Sequence, residues 1–304
     1  MRPFPLITFS NKDFIDLTTR LDVNCPIDNN RVWFDLLKLR INYFPNENKL
    51  RIKNSMHGYY NAMHGSLRQW INYNDFTFFD FQIVCESWSK IIFERPLEDF
   101  KLSTNFEVGL NIDSQEYTPF EVITKYMSYS TTTTNEFYTC PPSNLKGKPI
   151  QRMCYMSDYK IKGYDKSKQS HLAKQGLLRY EIVYTELRKI RKSLNMPANS
   201  IISLQTLNDL NVWDKLFNDI IKMYDAIKKI PLITDAYPLD DIFKVHAYCN
   251  KKLADDIKRG MNVNTYNKLR ASYKKVYNHY DLLHTNYHQI IRQKLISKYN
   301  STIN

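Results

Sequence analysis

The chain has 304 residues, with 43 Lys and Arg against 31 Asp and Glu, a formal charge of +12, 22 tyrosines and only 7 glycines. That length buries a sizeable core in one or two domains, and no apolar run approaches the roughly 20 residues that cross a bilayer. The glycine-rich GxxxxGKS/T and GxGxxG loops and the GxSxG element are all missing, which argues against a nucleotide-driven motor and a serine hydrolase of that type.

The first residues, Met1-Arg2-Pro3-Phe4-Pro5-Leu6-Ile7, lack a signal-peptide core. Cys25, Cys85, Cys140, Cys154 and Cys249 form no CxxC pair. Reduced thiols and a soluble, cytoplasmic protein are expected. A basic surface attracts polyanions, so nucleic acid is the leading partner class and no membrane partner is expected. The abundance of Lys, Asn, Ile and Tyr also fits an AT-rich coding sequence.

Arg31–Phe34 and Leu39–Phe44 read as strands, Pro45-Asn46-Glu47-Asn48 as a turn, and Lys49–Ile52 as the return strand of a hairpin. Phe81, Val84, Trp88, Ile91 and Ile92 recur at helical spacing from about Phe78 to Phe93, with Asp80 as the expected N-cap and Pro96 as the stop. A strand follows over 105–112. Thr118-Pro119-Phe120-Glu121 opens a helix expected to reach Tyr129. Polar loops then separate strands at about 150–156, 158–165 and 178–185. Beyond Leu187 the pattern turns helical, with helices expected over 212–230, 239–259 and 263–299. The fold class expected is α+β. A central antiparallel sheet with flanking helices occupies 1–205, and a basic helical domain occupies 206–304.

Candidate chemistry concentrates between Tyr159 and Tyr184. Tyr164 lies beside Asp165 and near Lys160, Lys162, Lys166 and Lys168. A phenol is a poor nucleophile at its ordinary pKa, near 10. Neighbouring cations lower that value, and a divalent ion polarises a target phosphate. If Phe106, Val108 and Leu110 face the core, Glu107 points to the opposite sheet face, where a carboxylate suits Mg2+ or Mn2+. His64, in Met63-His64-Gly65-Ser66-Leu67-Arg68-Gln69-Trp70, is a candidate metal ligand, and Arg68 a candidate phosphate contact. His284 and His288, four apart with His279 nearby, read first as a solvated helix face, since HExxH is absent. Lys251-Lys252, Lys258-Arg259 and Lys274-Lys275 suit either a DNA backbone or simple solubility.

Four segments in order resemble the rolling-circle replication initiators of filamentous phages and plasmids. They are His64-Gly65-Ser66-Leu67-Arg68 with Asn74-Asp75-Phe76, Phe106–Ile112, Ile161-Lys162-Gly163-Tyr164-Asp165-Lys166, and Leu178-Arg179-Tyr180-Glu181-Ile182. These look like the family's GSLxK…NxxDF, LEfGVNI, iKxYDKxxE and LRfEi segments, across roughly 30–205. The resemblance implies a metal-dependent, strand-specific DNA endonuclease and ligase. In such proteins a tyrosine attacks the origin phosphodiester, keeps the 5′-phosphate and frees a 3′-OH. Carried over, Tyr164 becomes the nucleophile, Lys166 a catalytic phosphate-positioning group, and Glu107 and His64 the metal ligands for Mg2+ or Mn2+. Arg68, Lys160, Lys162 and Arg179 become DNA contacts, and Glu181 supports the site. Partners implied are single-stranded or hairpin origin DNA, a host helicase and polymerase, and a second copy in a homodimer. The chain departs from the pattern at His64 and Gln169, where many relatives carry an acid, and it has no HxH. Tyr155, Tyr159 and Tyr180 stay open as alternative nucleophiles. Two other functions also stay open: a non-catalytic DNA- or RNA-binding protein, and a helical interaction protein.

Overall fold

A computed structural model of the chain describes residues 5–8, 16–17, 31–34, 39–47, 49–52, 76–102, 106–114, 118–119, 122, 129–130, 137–139, 151–169, 176–228, 238–280 and 286–303. Antiparallel strand pairs and helices alternate through these residues, so the mixed α+β class is as expected. The packing divides the chain into two units that are each discontinuous in sequence. One comprises Met1–Gly109, Ile182–Asp219 and Tyr299–Asn304, and the other Leu110–Glu181 and Ile220–Lys298. Two strands and two helices contain the points where the chain passes from one unit to the other.

In the first unit the strands are β1 (Pro5–Thr8), β2 (Arg31–Phe34), β3 (Leu39–Phe44), β4 (Lys49–Ile52) and β5 (Lys101–Leu102). They form a sheet in the order β2-β3-β4-β1-β5. Antiparallel register sets Ile41 opposite Ile52 and Tyr43 opposite Leu50, and all four are buried. The period of two thus delivers one continuous apolar face.

Helix α1 (Phe78–Glu86) is capped by Thr77, not Asp80. Thr77 Oγ1 accepts from the Asp80 amide at 3.1 Å, and Asp80 Oδ2 accepts from the Thr77 amide at 2.8 Å, a reciprocal capping box. The helix continues as a π turn over Ser87–Ile92. That wider turn delays the buried face, so Trp88 and Ile92 are buried while Ile91, expected inside, is 65% exposed. Trp213 meets Phe78 and Phe81 edge-on and donates its indole N–H to the Leu207 carbonyl at 2.9 Å.

The second sheet has the order β6-β11-β10-β9-β8, from β6 (Phe106–Asp113), β8 (Tyr138–Thr139), β9 (Gln151–Tyr155), β10 (Tyr159–Asp165) and β11 (Leu177–Tyr184). Among the described residues there are thus two five-stranded sheets and one two-stranded pair rather than the single central sheet expected. A short helix, α2 (Lys166–Gln169), follows β10, and α3 (Leu187–Leu194) follows β11. Gly176, at φ +80°, supplies the left-handed residue that enters β11. Its carbonyl accepts from the Ser114 amide at 3.0 Å and from Ser114 Oγ at 2.9 Å.

The expected helix over 212–230 is α5 (Leu210–Asp225), preceded by α4 (Leu204–Leu207). Its expected end is instead strand β12 (Ile227–Lys228), paired with β7 (Tyr129–Ser130). The expected helix over 239–259 is two, α6 (Leu239–Cys249) and α7 (Lys251–Arg259). Asn250 leaves helical geometry at φ −86°, ψ 116°, and its side chain caps α7 by accepting from the Leu253 amide at 2.9 Å. The expected helix over 263–299 is α8 (Val263–His279) and α9 (Asn286–Ile303). The expected helix over 118–129 falls almost wholly outside the described residues. Among the described residues no helix is long and apolar enough to cross a membrane.

Candidate functional site

All eight residues of β11 are buried, yet the strand carries Arg179 and Glu181. A buried charge persists only when paired and hydrogen-bonded. Strand period places Arg179 and Glu181 on one face of β11, and Lys162 and Tyr164 on one face of β10. Lys162 Nζ donates to Glu181 Oε1 at 2.8 Å, and Arg179 Nε to Glu181 Oε2 at 2.6 Å. Arg179 Nη1 also donates to Asn111 Oδ1 at 3.1 Å. The Tyr164 hydroxyl donates to Glu181 Oε2 at 3.4 Å. Charge-assisted bonds of this kind are the strong ones.

Burial pushes the Glu181 carboxyl up, but Arg179 and then Lys162 outweigh it and hold the group down at about 2. The carboxylate is thus ionised at every physiological pH and serves as the common acceptor of the cluster. Tyr164 is 7% exposed and Glu181 2%.

The other expected site residues sit as follows. Lys166, at the start of α2, is buried. Ser167 Oγ next to it accepts from the Leu177 amide at 2.8 Å, which ties α2 to the start of β11. Lys160 lies toward the other end of β10, its Nζ 5.7 Å from the centre of the Tyr155 ring. Glu107 is half-buried on β6 and belongs to the first unit. His64 and Arg68 lie outside the described residues, so the expected pairing of His64 with Glu107 stands as an expectation. Among the described residues no group of three His, Cys, Asp or Glu side chains is placed to hold a metal ion.

Of the alternative nucleophiles, Tyr180 is 2% exposed. Burial, with Tyr224 next in effect, pushes its hydroxyl well above the ordinary value, so it is disfavoured. Tyr155 is exposed. His288, expected on a solvated face, is buried, and its Nδ1 lies 3.3 Å from the Tyr224 hydroxyl. His284 lies outside the described residues.

Asn111 is the site residue that the sequence reading did not single out. The available signal was an amide inside the strand Phe106–Asp113, since a buried amide needs a partner. Comparison with family models, with curated proteins and with solved structures gave no match to this chain.

Proposed function

We propose that this chain initiates DNA replication by nicking and rejoining origin DNA through Tyr164. One observation carries the reading. Residues of three separate sequence segments, Asn111, then Lys162 and Tyr164, then Arg179 and Glu181, form one hydrogen-bonded cluster. These are the segments whose order resembles the replication initiators.

In the proposed reaction the Tyr164 oxygen attacks a phosphodiester phosphorus. The new bond is a phosphotyrosine, and the broken one is the bond from phosphorus to the 3′-oxygen. The phenol's proton passes toward Glu181, and the departing 3′-oxygen takes up a proton from solvent. Lys162 and Arg179 hold Glu181 in the free protein. A phosphate drawing on the same two cations weakens their hold, and the carboxylate becomes a better proton acceptor. Rejoining is the reverse displacement, so the covalent link divides one difficult step into two. The proposal keeps Mg2+ or Mn2+ as cofactor. Glu107 offers the hard oxygen donor such an ion takes, and the ion would polarise a phosphoryl oxygen. The proposed setting is the cytoplasm, with origin DNA, a host helicase and polymerase, and a second copy of the chain as partners.

The burial of Tyr164, 7% exposed, favours a second reading, a non-catalytic DNA- or RNA-binding protein. Catalysis requires the phenol to leave Glu181 and meet DNA. The test mixes the chain with a pool of labelled single-stranded oligonucleotides and Mn2+ or Mg2+. The nicking reading predicts shortened strands with free 3′-OH ends and a covalent adduct, both lost in Tyr164→Phe. Binding without cleavage, identical in wild type and Tyr164→Phe, supports the second reading and overturns the first.

A further inference from the structure

The second unit contains a run of cations and rings that plays no part in the Glu181 cluster. Lys228 is 7% exposed, and its Nζ lies 4.5 Å from the centre of the Tyr248 ring. The guanidinium of Arg270 lies 5.8 Å from the same ring. Arg270 Nη1 also donates to the Tyr266 hydroxyl at 3.2 Å. Lys258 Nζ lies 6.0 Å from the Tyr266 ring centre. The sequence Lys258, Tyr266, Arg270, Tyr248, Lys228 thus alternates cation and ring along one line of contacts. It runs from the exposed Lys258 through the half-buried Arg270 to the buried Lys228.

Among the described residues none of these three cations has a carboxylate partner. A ring face attracts a cation but does not neutralise it. Two cations held on one ring repel each other. Burial first, and Arg270 as a further charge, lower the Lys228 ammonium, while Cys249 acts the other way. An anion between them relieves both effects. The surrounding segment, Lys251 to His279, carries eight Lys and Arg against two Asp, so the anion arrives in a basic field.

We propose that these five residues form a track for one nucleic-acid strand, in which Lys258, Arg270 and Lys228 hold successive phosphates, the half-buried Tyr248 ring faces a base and the buried Tyr266 positions Arg270. A single strand offers the matching alternation of phosphate and flat base. The track is separate from the Tyr164 site, and the inference does not depend on covalent chemistry there.

The experiment measures the binding of a labelled oligothymidylate, and of a duplex of equal length, across a salt series. The slope of log affinity against log salt falls by about 0.7 for each cation removed, and by about 2 when Lys258→Gln, Arg270→Gln and Lys228→Met are combined. Lys90→Gln, a charge loss on the exposed surface of the π turn, leaves the slope unchanged. Lys258 is exposed, so its variant reports even where the Lys228 variant fails to fold. In the wild type the oligonucleotide protects the exposed Lys258 from acetylation. Unchanged slopes for Lys258→Gln and Arg270→Gln, with Lys258 acetylated equally with and without oligonucleotide, overturn the proposal. Equal dependence of duplex binding on the three cations overturns the single-strand occupant. A reduced slope without any Tyr164 adduct sinks the nicking reading and leaves the track standing.

Discussion

Around Glu181, buried Arg179 and half-buried Lys162 meet a carboxylate; around Tyr248, two cations meet rings and a hydroxyl but, among the described residues, no carboxylate. The first arrangement is satisfied within the protein, and the acid there is held far below its usual range. The second is left with its charge, and the lysine there is lowered instead. Low dielectric strengthens a completed ion pair and penalises an incomplete one. The same rule therefore makes one region a stabilised cluster and the other a place that gains from an added anion.

The largest effect that tests this contrast is on stability. Glu181→Ala leaves Lys162 and Arg179 without their common acceptor and costs about 3–5 kcal/mol. Lys228→Met removes a buried cation and costs less, because the burial that lowers its ammonium offsets what the ring contact contributes. Denaturant midpoints measure both, and equal losses would break the contrast.

Acid gives the next effect. The folded pKa of Glu181 is below its ordinary 4.5, so its contribution is present above that value and is lost as pH falls toward about 2. The loss amounts to about 3 kcal/mol. Stability curves of wild type and Glu181→Gln should converge on acidification. Lys228 shows the opposite dependence. Its folded pKa is lowered from 10.5, so the unfolded chain binds more protons there, and stability rises with pH up to that value. Lys228→Met removes this rise, and parallel curves would contradict it.

Asn250→Ala removes the cap of α7 and costs about 1 kcal/mol. It also loosens the turn next to Tyr248 and should weaken oligonucleotide binding. The smallest stability effect belongs to Tyr164→Phe, which loses one hydrogen bond of 3.4 Å, worth about 0.5–1 kcal/mol, while abolishing any covalent adduct.

The strands that carry the Glu181 cluster were legible in the sequence; the ion pairing of Lys162 and Arg179, expected as DNA contacts, with Glu181 was not. Strands β6, β9, β10 and β11 lie within a residue of the expected ranges, because alternation of apolar and charged residues reports an extended strand, although β11 is buried on both faces. What escaped depended on contacts distant in sequence. Asn111 matters only because Arg179, 68 residues away, reaches it. Lys228 was read into a helix, and only its pairing with Tyr129 across β7 makes it a strand residue. Ile91 follows helical spacing, and only the π turn sends it outward. Asn250 sits in an unbroken helical pattern, and its role as a cap emerges only when the next helix starts there. The tyrosine rings of the track gave no signal among 22 tyrosines.

The most direct measurement is mass spectrometry of the peptide that retains nucleotide after the chain meets single-stranded DNA with Mn2+ or Mg2+. The account predicts a phosphonucleotide on the peptide containing Tyr164 and on no other. A modified Tyr155 or Tyr159 peptide, or unmodified protein throughout, contradicts it.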